Sequence, residues 1–142
     1  MAVVYFDSSA FVKLLVEEDG SDIAARVWAD ADLVVASRLA YPEVRAALSA
    51  ARRGARLDRD ADRRVRRGWD GFWSATRVVE LSEPVAVAAA DLAGKLVLGG
   101  ADAVHLATAL TLMETDPVLV TWDLRLHQAA GEAGLRVAPT RF

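Results

Sequence analysis

Short apolar runs alternate with longer stretches of helical period along the chain. Residues 2–6 form a nearly unbroken apolar run, the pattern of a strand buried on both faces. Residues 8–18 place Phe11, Leu14 and Leu15 on one helical face, and Asp19-Gly20-Ser21 interrupts them. Ser21 or Asp22 can cap a second helix carrying Ile23, Val27 and Trp28. A short strand follows at 33–36. Tyr41-Pro42-Glu43 opens a helix that runs to about Arg53, where Gly54 can end it. From Asp58 to about Ala75 the stripe Val65, Trp69, Phe72, Trp73 predicts another helix. Residues 77–81 read as a strand, and Glu83-Pro84 starts a helix to about Val97. Gly99-Gly100 breaks the chain, and Asp102 begins a helix to about Thr115. A strand at 118–122, a helix at 124–133 and a last strand at 135–138 complete the pattern. This alternation predicts an α/β domain with a parallel sheet.

The length of 142 residues predicts a single domain spanning 1–142 with one buried core. With 54% hydrophobic and 26% charged residues, the composition excludes a disordered chain. The absence of cysteine excludes disulfides, thiol nucleophiles and cysteine zinc sites, and fits a reducing compartment. The N-terminus lacks the basic lead of a signal peptide, and the apolar stretch at 85–98 is interrupted by Asp91 and Lys95. The expectation is a cytoplasmic protein with no membrane span.

A total charge of −3 argues weakly against a nucleic-acid partner, but the distribution says more. Residues 52–67 hold eight arginines and three aspartates, so +5 is concentrated there and −8 is spread over the rest. Arg52, Arg53, Arg56, Arg63, Arg64 and Arg67, with Arg59 and Arg66, could grip an RNA backbone, contact a protein partner, or simply solvate a helix face.

Four carboxylates stand where an α/β sheet presents its ligands. Asp7 directly follows the first strand, and Asp123 directly follows the strand at 118–122. Ligands in such sheets bind beyond the carboxyl ends of the strands. Glu43 and Asp102 occupy first turns of helices, whose N-termini lie at the same edge. Clustered carboxylates push one another's pKa values up, and a hard divalent cation with oxygen preference relieves that conflict. Each residue also has a plain structural explanation as a helix cap or a favourable charge at a helix dipole, and spacing leaves both open.

The motifs themselves resemble a known family. Asp7-Ser8-Ser9-Ala10-Phe11-Val12-Lys13-Leu14 with Glu17-Glu18 is similar to the opening of PIN-domain proteins, and Pro42-Glu43-Val44 to their second acidic motif. Asp102-Ala103-Val104-His105-Leu106-Ala107-Thr108-Ala109 resembles the third, and Thr121-Trp122-Asp123-Leu124-Arg125-Leu126 the fourth, in the expected order. The resemblance implies a three-layer α/β/α fold with a central, mainly parallel sheet, and a ribonuclease dependent on Mg²⁺ or Mn²⁺. It implies Asp7, Glu43, Asp102 and Asp123 as catalytic and metal-binding residues, Asp7 and Asp102 foremost as ligands, with Thr121 as a site hydrogen bond or an ordinary strand threonine. Compact members are VapC-type toxins, which implies an RNA substrate, a small cognate antitoxin and a homodimer.

Other residues are weaker candidates. His105 lies one helical turn after Asp102 and reads as a packed or surface histidine rather than a general base, and His127 as a surface residue. The spacing of Trp69, Phe72 and Trp73 fits core or a dimer interface better than base stacking. An aspartyl-phosphate phosphatase would want an acid where Ser9 stands, and a phosphoacceptor signalling domain a lysine after a late strand, whereas the lysines are Lys13 and Lys95. A non-toxin RNA-processing nuclease and a non-catalytic binding module of the same fold complete the alternatives.

Overall fold

The computed structural model describes residues 1–54 and 57–142; Arg56 of the basic stripe lies outside the described residues. Strand β1 (Val3–Phe6) is buried along its whole length and forms the centre of the sheet. It pairs in parallel with β2 (Leu33–Ser37) on one side and β4 (Val118–Val120) on the other. Beyond them lie β3 (Arg77–Val79) and β5 (Arg136–Ala138), giving the parallel order β3-β2-β1-β4-β5.

Alternation along β1 sorts the helices into two layers. Val4 and Phe6 join a core with Phe11, Val44, Leu48 and Trp69, and so face α1 (Ser8–Leu15), α3 (Ala40–Arg53) and α4 (Arg59–Ser74), with α2 (Ser21–Asp30) packed alongside. Val3 and Tyr5 face the other way, against Leu106 of α6 (Gly100–Leu110) and Leu126 of α7 (Leu124–Glu132). Helix α5 (Glu83–Lys95) packs Val85 and Ala89 on Ala103 and Ala107 of α6. The result is the expected α/β/α sandwich. Among the described residues no single helix is long and apolar enough to cross a membrane.

Several boundaries differ from expectation for local reasons. Helix α1 stops at Leu15 rather than residue 18, because the Ser21 hydroxyl donates to the Val16 carbonyl at 3.0 Å and accepts from the Glu18 N–H at 3.0 Å. Ser21 is thus engaged in the turn, and Gly20 takes the N-cap position of α2 instead. Strand β4 ends at Val120 rather than Trp122, because the Trp122 N–H turns out of the ladder to the Ser9 hydroxyl at 2.9 Å. Helix α6 ends at Leu110, where the Thr111 hydroxyl binds the Thr108 carbonyl, and a separate 3₁₀ turn covers Met113–Thr115. Trp69 is fully buried, 5.0 Å from Phe11 between ring centroids, so it belongs to the core and not to an interface.

Gly20 shows how tightly the fold closes around the end of β4. Its φ is +93°, and a Cβ there would stand 2.6 Å from the Trp122 indole nitrogen. Gly20→Ala is therefore expected to destabilise the protein by about 2 kcal/mol or more, from left-handed backbone strain plus overpacking. Urea unfolding of the purified variant measures this; an unchanged midpoint would remove the claim that Trp122 is wedged against this turn.

Candidate active site

The sheet order places the reversal of strand progression between β1 and β4, and both strands deliver an aspartate there. In parallel sheets this is the crevice where ligands enter. Asp7 leaves β1 and caps α1, its Oδ1 accepting from the Ala10 N–H at 2.9 Å. The Ser9 hydroxyl donates to the same oxygen at 2.7 Å, and the Thr121 hydroxyl donates to Oδ2 at 2.5 Å. Burial raises the Asp7 carboxyl above its ordinary value, and these donors work against that rise. Only 4% of Asp7 remains exposed.

Thr121 also accepts from the Asp123 N–H at 3.0 Å, so one fully buried hydroxyl ties the two strand-end aspartates together. It sits just beyond the end of β4 and is not an ordinary strand threonine. Asp123 caps α7 through Oδ1, which accepts from the N–H groups of Arg125 and Leu126 at 3.0 and 3.1 Å. The capping explanation thus holds for Asp7 and Asp123, yet each keeps an oxygen outside its cap.

Glu43 lies in the first turn of α3, and Asp102 in the first turn of α6. Glu43 Oε1 accepts from the Ser8 hydroxyl and from His105 Nε2, both at 2.6 Å. Burial pushes its carboxyl up, but the hydrogen bonds from His105 and Ser8 hold it below its ordinary value. Asp102 behaves oppositely. It is not the N-cap of α6, a position held by Gly99, and among the described residues its carboxylate accepts no hydrogen bond. Burial raises it, the charge of Asp123 raises it further, and Asp7 and Glu43 add to both. The four carboxylates therefore share one field. Among the described residues no three acidic or histidine side chains stand close enough to grip one ion together.

His105 is 2% exposed, consistent with a packed histidine, but it is not inert: it touches Tyr5 and Glu43. Sequence reasoning missed Tyr5, Ser8 and Ser9 as parts of this web. The two serines follow Asp7 directly, and their hydroxyls were the available signal. His127 is half-buried rather than at the surface, its Nε2 2.7 Å from the Pro139 carbonyl and its ring against Phe142.

The basic stripe is more paired than its charge implied. Arg52 and Arg66 both reach Asp62, at 3.3 and 3.1 Å, and Arg63 reaches Asp60 at 2.7 Å. Arg53, Arg59, Arg64 and Arg67 form no ion pair among the described residues. Arg52 follows Glu43 by nine positions on α3, about 14 Å along the axis, so the stripe lies at the far end of that helix from the carboxylates. An open groove of about 380 Å³ runs between α1 and α4, lined by Leu14, Leu15, Val65 and Phe72 with Arg64 at its side. A second of about 440 Å³ lies between α7 and the end of α5, with Lys95 and Arg125 on its walls.

Comparison with known proteins gives a consistent result. The PIN domain family matches residues 4–132. The chain is 51% identical over 142 residues to Ribonuclease VapC49 of Mycobacterium tuberculosis (strain ATCC 25618 / H37Rv), covering 100% of this chain and 99% of that protein. It is 38% identical over 140 residues to Ribonuclease VapC46 of the same strain, covering 96% and 97%. Among solved structures, FitAcB from Neisseria gonorrhoeae superposes with a TM-score of 0.67 at 17% identity, over 94% of this chain and 95% of that one. DNA-bound VapBC from Salmonella typhimurium superposes with a TM-score of 0.62 at 18% identity, over 96% and 97%.

Proposed function

The chain belongs to the PIN-domain family, among the VapC-type ribonucleases, and from that premise we propose that it is an endoribonuclease whose site is Asp7, Glu43, Asp102 and Asp123. The observation that carries this is the buried Thr121 hydroxyl, which donates to Asp7 at the end of β1 and accepts from the Asp123 N–H beyond β4, where the strand order reverses. An all-oxygen donor set suits a hard divalent cation, here Mg²⁺ or Mn²⁺, which takes one or two carboxylates and keeps water in the rest of its shell. Asp7 and Asp102 would hold it, with Glu43 and Asp123 beside it. When bound, such an ion lowers the pKa of a water and stabilises the leaving oxygen at phosphorus.

The chain's own residues supply the rest. Ser9, Thr121 and the Ala10 N–H fix both oxygens of Asp7, so that ligand is preorganised before any ion arrives. Thr121 carries the same constraint to Asp123. The purified protein is expected to cut RNA with Mg²⁺ or Mn²⁺ and to stop in EDTA; cleavage that persists in EDTA would overturn the mechanism.

We further propose that the chain is a cytoplasmic toxin folded as one PIN domain over 1–142, neutralised by a small antitoxin and assembled as a homodimer. The α1–α4 groove is the surface for an apolar antitoxin helix, since Leu14, Leu15, Val65 and Phe72 line it while Phe11 and Trp28 are taken up in packing. An arginine on the antitoxin would pair bidentately with the site carboxylates. The exposed arginines of α4 supply RNA contact. Removing Arg63, Arg64 and Arg67 together to alanine is expected to flatten the slope of log affinity against log salt by about 2, at roughly 0.7 per phosphate contact on a single strand. An unchanged slope, read by fluorescence anisotropy with labelled RNA, would assign the stripe elsewhere.

A further inference from the structure

We propose that Tyr5 and His105 are positioning residues for Glu43, holding one of its oxygens so that the other is presented to the site; this rests on the nuclease reading above. The core holds an anomaly. Tyr5 lies on the central strand and is fully buried, as is Ser37, and His105 is 2% exposed. Phenylalanine would fill the same space on β1 without burying a hydroxyl. Burying hydroxyl and imidazole groups in a sheet–helix interface costs stability unless each polar atom finds a partner.

Here the partners form a directed chain. The Ser37 N–H donates to the Tyr5 hydroxyl oxygen at 3.3 Å. That occupies the phenol as an acceptor and directs its proton to His105 Nδ1, 2.7 Å away. With Nδ1 accepting, Nε2 carries the ring's proton and donates to Glu43 Oε1 at 2.6 Å. The Ser8 hydroxyl donates to the same oxygen at 2.6 Å. Tyr5 and His105 rings meet edge to face with centroids 5.9 Å apart, which fixes the imidazole plane as well.

The consequence falls on Glu43. A glutamate in a first helical turn, one third of its side chain exposed, would ordinarily sample many rotamers. Two donors on Oε1 remove that freedom, and among the described residues Oε2 has no protein partner. The chain thus runs from the end of β2, through β1 and α6, to a single free oxygen at the sheet edge. Both imidazole nitrogens are engaged within the fold, so His105 acts through Glu43 and not on substrate.

A double-mutant cycle tests this, because a residue acting only through Glu43 cannot matter once Glu43 is disabled. Tyr5→Phe is expected to lower kcat about 10-fold with KM for RNA changed less than twofold, and to weaken Mn²⁺ binding to the RNA-free protein, read by calorimetry, by a similar factor. In a Glu43→Gln background the same substitution is expected to change neither. Equal losses in both backgrounds would mean a purely structural role and would overturn the proposal. His105→Gln, which keeps a donor near Nε2, is expected to retain most activity that His105→Leu loses; equal loss from both again overturns it. If the unmodified protein cuts no RNA, the nuclease reading fails, and the Mn²⁺ cycle alone still decides whether Tyr5 and His105 act on Glu43.

Discussion

Asp102→Asn is expected to abolish RNA cleavage, by three orders of magnitude or more on the scale of losing a charged metal ligand, while leaving the protein folded and slightly more stable. The two halves of this prediction come from one fact. Burial and the charges of Asp123, Asp7 and Glu43 raise the Asp102 carboxyl above its ordinary value. A carboxyl whose pKa is raised on folding destabilises the native state wherever it is ionised. The asparagine variant should therefore gain stability at neutral pH, and the gain should vanish as pH falls below the usual carboxylate range. The site is half open to water, so screening keeps the gain below about 1 kcal/mol. Metal reverses the comparison, because an ion held by the carboxylates stabilises the unmodified protein and not the variant. Thermal melts with and without Mn²⁺, beside a cleavage assay, check all three statements. A variant that cuts RNA normally would remove Asp102 from the site, whatever its melting temperature.

Expression of this chain alone is expected to arrest bacterial growth by several orders of magnitude in colony count, and co-expression of a small cognate antitoxin to restore it. An uninhibited ribonuclease acts on its own host. The proposed antidote has two chemically distinct handles, an apolar segment for the Leu14, Leu15, Val65 and Phe72 groove and an arginine for the carboxylates. Growth arrest that survives Asp102→Asn would point to a poison that is not the nuclease. Harmless expression of an active enzyme would leave the chemistry intact and discard the toxin.

The sequence made the layers and the order of elements legible, because each β1 residue is apolar and each helix carries a periodic stripe. It also allowed the expectation that Asp7, Glu43, Asp102 and Asp123 could converge at one edge, since strand ends and the starts of the helices that follow them share that edge in a doubly wound parallel sheet. What stayed hidden were side-chain bonds between distant segments. Nothing near residue 122 announces that its N–H leaves the ladder for Ser9, so β4 was expected to run two residues too far. Nothing near His105 announces Tyr5, a hundred positions earlier. The arginine-rich stretch misled in the opposite way: charge counting cannot see that Asp62 absorbs Arg52 and Arg66.

Strand β1 pairs in parallel with β4, with Val4 opposite Val118 and Phe6 opposite Val120. The two aspartates joined by Thr121 therefore come from opposite ends of the synthesis of the chain. At roughly 5–20 residues per second, a ribosome needs on the order of ten seconds between placing Asp7 and placing Asp123. Only from residue 102 does the nascent polypeptide hold three of the proposed carboxylates, and it still lacks the strand that would bring in the fourth. On the proposed site, cleavage must wait until the segment around Asp123 has been translated. An antidote synthesised in the same interval would be waiting when the last helix folds.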